Sequence, residues 1–267
     1  MSAIAAAFDR ARAEKRAAFV PYLTAGDPHV DVTAALVVAL ARAGADVVEL
    51  GVPFSDPIAD GPVNQAAAQR ALAAGTTLES ILEMASRVRA ASRVPLVLFT
   101  YFNPVHAYGP ARFAEHAAAS GIDGVLCVDL PPEEARGDYL AALARFGLDP
   151  IFLLAPTSTR ERVKAVARAG RGFVYYVSRT GVTGERTELP RGLAREVSDL
   201  RRRLKLPVAV GFGISTPEQV AAVARVADGV VVGSALVRLI GEHGTEPDLP
   251  ELLGAITGRL AAATRRR

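Results

Sequence analysis

Eight short apolar runs, each trailed by a longer helical pattern, dominate this chain of 267 residues. The runs are Phe19 to Leu23, Asp46 to Leu50, Leu96 to Thr100, Gly124 to Val128, Ile151 to Leu154, Phe173 to Val177, Val208 to Gly211 and Val230 to Gly233. They are continuous rather than alternating, as expected of parallel strands covered on both faces. Ala-rich segments with helical spacing lie between them, such as Val32 to Ala43, Glu79 to Ala90, Arg112 to Ala119, Arg160 to Ala169 and Glu218 to Ala227. Ser158 stands before the fifth crossover helix, and Ser215-Thr216-Pro217-Glu218 opens the seventh. Eight β–α units predict an α/β fold, a (β/α)8 barrel that makes one domain of residues 1–267. Ile4 and Phe8, on one helical face, predict an extra N-terminal helix. The rival is an open doubly wound sheet, which usually carries a Gly-x-Gly-x-x-Gly turn after its first strand. The chain has none there. The connections from Gly51 to Pro95 and from Ser178 to about Pro190 are long. They read as extended βα loops on the face where such barrels keep their chemistry.

About half of the residues are apolar, enough for one large core. The net charge is only +3, and the dense basic runs are Arg201-Arg202-Arg203 and Arg265-Arg266-Arg267. They read as a solvated helix face and a frayed tail rather than a nucleic-acid surface, and there is no Trp to stack a base. The single Cys127, inside Val125-Leu126-Cys127-Val128, reads as a buried small hydrophobe in a reducing compartment. No apolar stretch approaches a membrane span, and the first residues lack the basic start of a secretory signal. The expected location is the cytoplasm.

Two carboxylates stand out. Glu49 ends an otherwise apolar strand, where an acid is costly unless it has a task. It shares a face with Val47; if Val47 points into the barrel, Glu49 points to the mouth of its axis. Asp60 lies in a loop stiffened by Pro53, Pro57 and Pro62. Two acids in different settings can divide the protonated and ionised roles. Spacing alone also allows a strand-end salt bridge at Glu49, with Asp56 and Asp60 as turn residues.

Three Gly-rich loops follow the last three strands: Ser178 to Gly184, Gly211 to Ser215, and Gly233-Ser234 ahead of a helical run from Ala235 to Ile240. Each alone is an ordinary turn. Together, in the positions where barrels bind phosphate, they predict an anion cradle of backbone N–H groups and a helix N-terminus. Arg179 adds charge there, closes the loop or is simply solvated.

The block Glu49-Leu50-Gly51-Val52-Pro53-Phe54-Ser55-Asp56-Pro57-Ile58-Ala59-Asp60-Gly61-Pro62 resembles the tryptophan synthase alpha subunit family. So do Pro21 to Pro28, the Ser178 to Gly184 loop, Gly211 to Ser215 and Gly233-Ser234, in order and spacing over nearly the whole chain. One departure is Asn64, where the family usually has an aliphatic residue before Gln65; it bears on the packing of the loop. The resemblance implies a lyase that cleaves indole-3-glycerol phosphate by a retro-aldol reaction to indole and glyceraldehyde 3-phosphate. By the same resemblance Glu49 shuttles protons and Asp60 accepts the indole N–H. Tyr175 supports Asp60, and Thr183 orders a loop against it. Tyr22 and Phe212 wall the indole pocket, while Gly184, Gly213, Gly233 and Ser234 hold the phosphate. It further implies no cofactor in this chain and a beta subunit carrying pyridoxal phosphate, in an alpha2beta2 tetramer. The loop from Pro53 to Asp60, Asn103-Pro104 and Pro131-Pro132 then face the partner.

Other chemistries fit less well. A Schiff-base aldolase needs a lysine at a strand end, and Lys15, Lys164 and Lys205 are not so placed. A metal-dependent epimerase needs clustered ligands, but His29, His106, His116 and His243 are scattered, so no metal is expected. A non-catalytic barrel and a lyase that works without a partner remain distinct readings.

Overall fold

A computed structural model describes residues 1–135, 137–177, 192–211 and 213–266. Eight parallel strands close into a barrel in chain order: β1 (Ala18–Thr24), β2 (Val48–Gly51), β3 (Leu96–Thr100), β4 (Gly124–Cys127), β5 (Asp149–Leu154), β6 (Val174–Val177), β7 (Val208–Gly211) and β8 (Gly229–Val232). The ring closes where Ala18 to Pro21 of β1 lie beside Gly229 to Val232 of β8. Ahead of β1 stands α1 (Ala3–Ala13), and α2 (Val30–Arg42) links β1 to β2. The long connection to β3 holds two helices, α3 (Pro62–Ala73) and α4 (Leu78–Ala91). Then come α5 (Phe102–Tyr108) and α6 (Pro110–Ala119) before β4, α7 (Asp138–Arg145) before β5, and α8 (Arg160–Ala169) before β6. Last are α9 (Leu193–Arg203), α10 (Pro217–Ala224), α11 (Ser234–His243) and α12 (Leu249–Ala262).

The continuous apolar runs are explained by two cores. Phe19, Leu23, Val48, Leu50, Leu96 and Leu98 face outward into the layer between strands and helices. Val20, Val47, Val97, Leu126, Ile151, Phe173 and Val231 face inward and fill the barrel. α1 plugs the N-terminal end of that interior with Ile4 and Phe8, and Phe8 stacks on Phe173 with ring centroids 5.2 Å apart. Two glycines at strand starts make room for the plug. A Cβ on Gly229 would stand 2.9 Å from Phe8 Cε1, and one on Gly124 would stand 2.8 Å from Ile4 Cδ1.

Boundaries differ from expectation for local reasons. Asp46 lies ahead of β2, because its carboxylate accepts the Phe19 N–H and pairs with Arg16. Ser158 does not cap α8; the cap is Thr159, whose hydroxyl accepts the Arg162 N–H, while Ser158 Oγ accepts the Ala155 N–H. Thr216 caps α10 in a reciprocal box with Gln219. That helix stops at Ala224 rather than Ala227. The terminal basic run is a correction too. Arg265 forms a bridge with Arg16, and the Arg266 guanidinium donates to the carbonyls of Ala224 and Ala227 at 2.9 and 2.7 Å. These two residues are docked, not frayed, since carbonyls at a helix end need donors. No helix among the described residues is long and apolar enough to cross a membrane.

Candidate active site

The C-terminal ends of the strands bring the expected acids together. Alternation along β2 sends Val47 into the barrel core, so Glu49 faces the same axis, one layer higher. Its β1 neighbour in register is Tyr22. Glu49 is fully buried, and among the described residues neither carboxylate oxygen has a hydrogen-bond partner. Burial alone therefore pushes this carboxyl up to about 8, so that it carries a proton at neutral pH. The sequence alternative of a salt bridge at Glu49 finds no partner among the described residues.

Asp60 enters from the loop after β2 and sits just ahead of α3, whose N-cap is Gly61. Its carboxylate accepts the Tyr101 hydroxyl at 3.0 Å, and the same hydroxyl accepts the Ala59 N–H at 2.9 Å. The Asp60 N–H goes to the Pro57 carbonyl at 3.0 Å, and the Gln65 amide holds the Asp60 carbonyl at 2.8 Å. Desolvation raises the Asp60 pKa, and the hydrogen bond from Tyr101 opposes that rise. The fields of Glu49 and Asp60 both reach Tyr22 and Tyr175 and, after burial itself, help raise those phenols. Both acids thus border one space.

Two strand-end glycines make that space. A Cβ on Gly51 would overlap the Tyr22 hydroxyl, and one on Gly211 would overlap the Tyr175 hydroxyl. The wall continues from Tyr22 edge-on to Phe99, at 5.4 Å between centroids, and on to Tyr175 at 6.4 Å. Tyr22 also lies against Gly233. From Gly233 the chain enters α11, which starts at Ser234 with no acid in its first turn. The N–H groups of Leu236 and Val237 return to the Gly233 carbonyl, so the earliest N–H groups of α11 remain for an anion. Gly213 is exposed with φ +71° and nothing within 4 Å of where a Cβ would be.

The mouth thus unites Glu49, Asp60, Tyr22, Tyr175, Gly233 and Ser234. Thr183, Gly184 and Phe212, with Arg179, lie outside the described residues. Among the described residues the hydroxyl bonded to Asp60 is that of Tyr101, while Tyr175 lies within the field of Asp60. Sequence reading passed over Tyr101 and Phe99. Their signal was parity, because Val97, Phe99 and Tyr101 alternate towards the axis as Val47 and Glu49 do. A second cavity of about 500 Å³, lined by Phe8, Asp149, Arg171, Lys205 and Arg266 among others, lies at the opposite end of the barrel. Among the described residues, no group of three or more His, Cys, Asp or Glu could hold a metal ion.

This arrangement is similar to known proteins throughout its length. The family model described as "Tryptophan synthase alpha chain" matches residues 8–253. The tryptophan synthase alpha chain of Geobacter sulfurreducens is 56% identical over 263 residues, 98% of this chain and 99% of that protein. A structure of Mycobacterium tuberculosis tryptophan synthase superposes with a TM-score of 0.91 at 41% identity, covering 100% of this chain and 99% of that one. The alpha chain from Legionella pneumophila subsp. pneumophila gives 0.90 at 38% identity, covering 99% and 97%.

Proposed function

The chain belongs to the tryptophan synthase alpha chain family, and from that membership we propose how its residues divide the work. The reaction is the alpha reaction of tryptophan biosynthesis, the lyase step in which indole-3-glycerol phosphate is cleaved to indole and glyceraldehyde 3-phosphate. Glu49 begins protonated and delivers its proton to indole C3. As a carboxylate it then takes the proton of the glycerol hydroxyl next to the breaking C–C bond. The aldehyde and indole separate, and Glu49 ends protonated, so no proton need come from solvent. Asp60, ionised, accepts the ring N–H and stabilises the positive indolenine formed when C3 is protonated. Tyr22, Phe99 and Tyr175 wall the ring. Gly213, Gly233 and Ser234 bind the phosphate, with Gly184, while Thr183 and Phe212 keep the roles that the resemblance assigned.

The chain needs no cofactor for this acid–base chemistry. Its partner is a pyridoxal-phosphate beta subunit, in an alpha2beta2 tetramer, and its place is the cytoplasm. The Pro53 to Asp60 loop supports a docking role, since Ile58 is an apolar side chain left 90% exposed there. The observation that carries the reading is the enclosed Glu49 carboxyl in the barrel mouth beside Tyr22, without a hydrogen-bond partner among the described residues.

The test is cleavage of indole-3-glycerol phosphate by the purified full chain, alone and with a beta subunit. Aldehyde should form, and Glu49→Gln should lower kcat by at least about 10², within the usual reach of general acid–base catalysis. An undiminished rate in that variant, or no product even with the partner, overturns the proposal.

A further inference from the structure

The cavity at the N-terminal end of the barrel takes no part in the proposed reaction, and the charges of its lining do not balance. Six cationic side chains face three carboxylates, Asp9, Asp149 and Asp228. Arg12 pairs with Asp9, Arg201 pairs with Asp228 at 3.0 Å, and Arg16 pairs with Asp46 and Glu14. That leaves Arg171, Lys205 and Arg266. Arg171 donates through Nη1 to the carbonyls of Arg168 and Gly170, at 3.2 and 2.8 Å. Arg266 donates through Nε and Nη2 to the carbonyls of Ala224 and Ala227. A carbonyl accepts the hydrogen bond but brings no negative charge. Lys205 has no polar partner among the described residues. Of the lining acids only Asp149, which accepts the Ser2 hydroxyl, is left to oppose these three. Three cations against one carboxylate leave a surplus of two positive charges.

Barrel register brings the three together. Arg171 and Lys205 stand three residues ahead of Val174 and Val208, which are paired across β6 and β7. Arg266 is docked on Ala227, just ahead of β8, the next strand of the ring. Neighbouring strands lie about 4.8 Å apart, so the three cations occupy adjacent sectors of one rim. Their remaining donors are Nε and Nη2 of Arg171, Nη1 of Arg266 and Nζ of Lys205, none with a partner among the described residues. A free guanidinium edge matches the oxygens of a phosphate. A phosphate monoester carries ~1.5–2 negative charges at neutral pH, which meets the surplus. The cavity, at about 500 Å³, has room for more than the phosphate and falls in the usual range of small-molecule sites. Leu206 and Pro207 line it with partly exposed apolar surface. We propose that this cavity binds an organic phosphate monoester of about the size of a nucleoside monophosphate, with the phosphate held by Arg171, Lys205 and Arg266. The site is at the opposite end of the barrel from Glu49 and Asp60, and it does not depend on the reaction assigned to them.

The test is calorimetric titration of the full chain with adenosine monophosphate at low salt. A Ser234→Asp background, which places an acid at the start of α11, keeps the probe out of the barrel mouth. Adenosine monophosphate should bind this chain, and adenosine at least about tenfold more weakly. Arg171→Glu and Lys205→Glu should each weaken the nucleotide at least about tenfold, the size of a lost hydrogen bond to a charged group. Both side chains are exposed, so melting temperatures should stay near the parent's; Lys205→Gln, which keeps the shape and removes the charge, serves as the milder variant and should also weaken binding. With Ser234 restored, Lys205→Glu should leave indole-3-glycerol phosphate cleavage within about twofold of the parent. No binding to the Ser234→Asp chain, equal binding of adenosine, or an affinity that ignores all three substitutions overturns the site. Absence of cleavage in the parent would overturn the reaction and leave the titrations as they are, which separates the two failures.

Discussion

At the scale of single residues, the same burial that equips Glu49 for catalysis makes it a liability for stability. Folding keeps its proton on up to about pH 8, while the unfolded chain releases it near the ordinary 4.5. The folded state thus binds the extra proton between those values, and the stability it contributes is full at low pH and lost as pH rises through 8. Glu49→Gln should therefore melt higher than the parent at pH 9, by at least ~2–4 °C, with the gap closing towards pH 4. Thermal melts across pH check this; a constant gap would mean that the carboxyl is not titrating. The same two acids shape activity. Glu49 must start protonated and Asp60 ionised, so kcat/KM should be bell-shaped, rising through the elevated range of Asp60 and falling near pH 8. A profile still flat at pH 9 would remove Glu49 as the acid. Glu49 and Asp60 stood out in sequence because acids are rare among apolar strand and Pro-rich loop residues. Tyr101 did not, because a tyrosine at a strand end looks like packing until its hydroxyl is seen on Asp60.

At the scale of elements, the strands were legible from their apolar runs to within a residue or two, and the helices from periodicity. Their ends were not. Thr159 and Ser158 are both plausible caps, and only the turn closed by Ser158 Oγ on Ala155 assigns the role to Thr159. Likewise α10 stops where Arg266, from the far end of the chain, donates to the carbonyl of its last residue, Ala224, and to that of Ala227 beyond it. The clearest element-level device is α1. Phe8 is 3% exposed and closes the barrel floor against Phe173. Phe8→Ala should destabilise the fold by ~3–5 kcal/mol, as large-to-small changes in a packed core do. Denaturant unfolding measures it; a loss under ~1 kcal/mol would show that the floor collapses to fill the gap.

At the scale of the molecule, the barrel separates support from chemistry. The N-terminal end holds the α1 plug, the Arg16–Asp46 pair and the docked Arg265-Arg266 segment, while the mouth holds the acids and the open start of α11. Arg266→Ala should cost ~1–3 kcal/mol of stability by leaving two carbonyls without their charged donor. Its kcat below the melting range should stay within about twofold of the parent. Paired melts and steady-state assays decide; a large kcat loss in a stable variant would show that the two ends are coupled.

The order and type of the elements and the barrel class follow from the chain read by itself, because they depend on local apolar pattern; the two acids stand out there as residues in costly places, and the resemblance of their segment gives them roles. Which hydroxyl meets Asp60 and where the last arginines dock were decided only by tertiary structure. Those are contacts between distant segments: Tyr101 lies 41 positions from Asp60, and Arg266 lies 42 from Ala224. No local pattern records such meetings; closure of the barrel creates them.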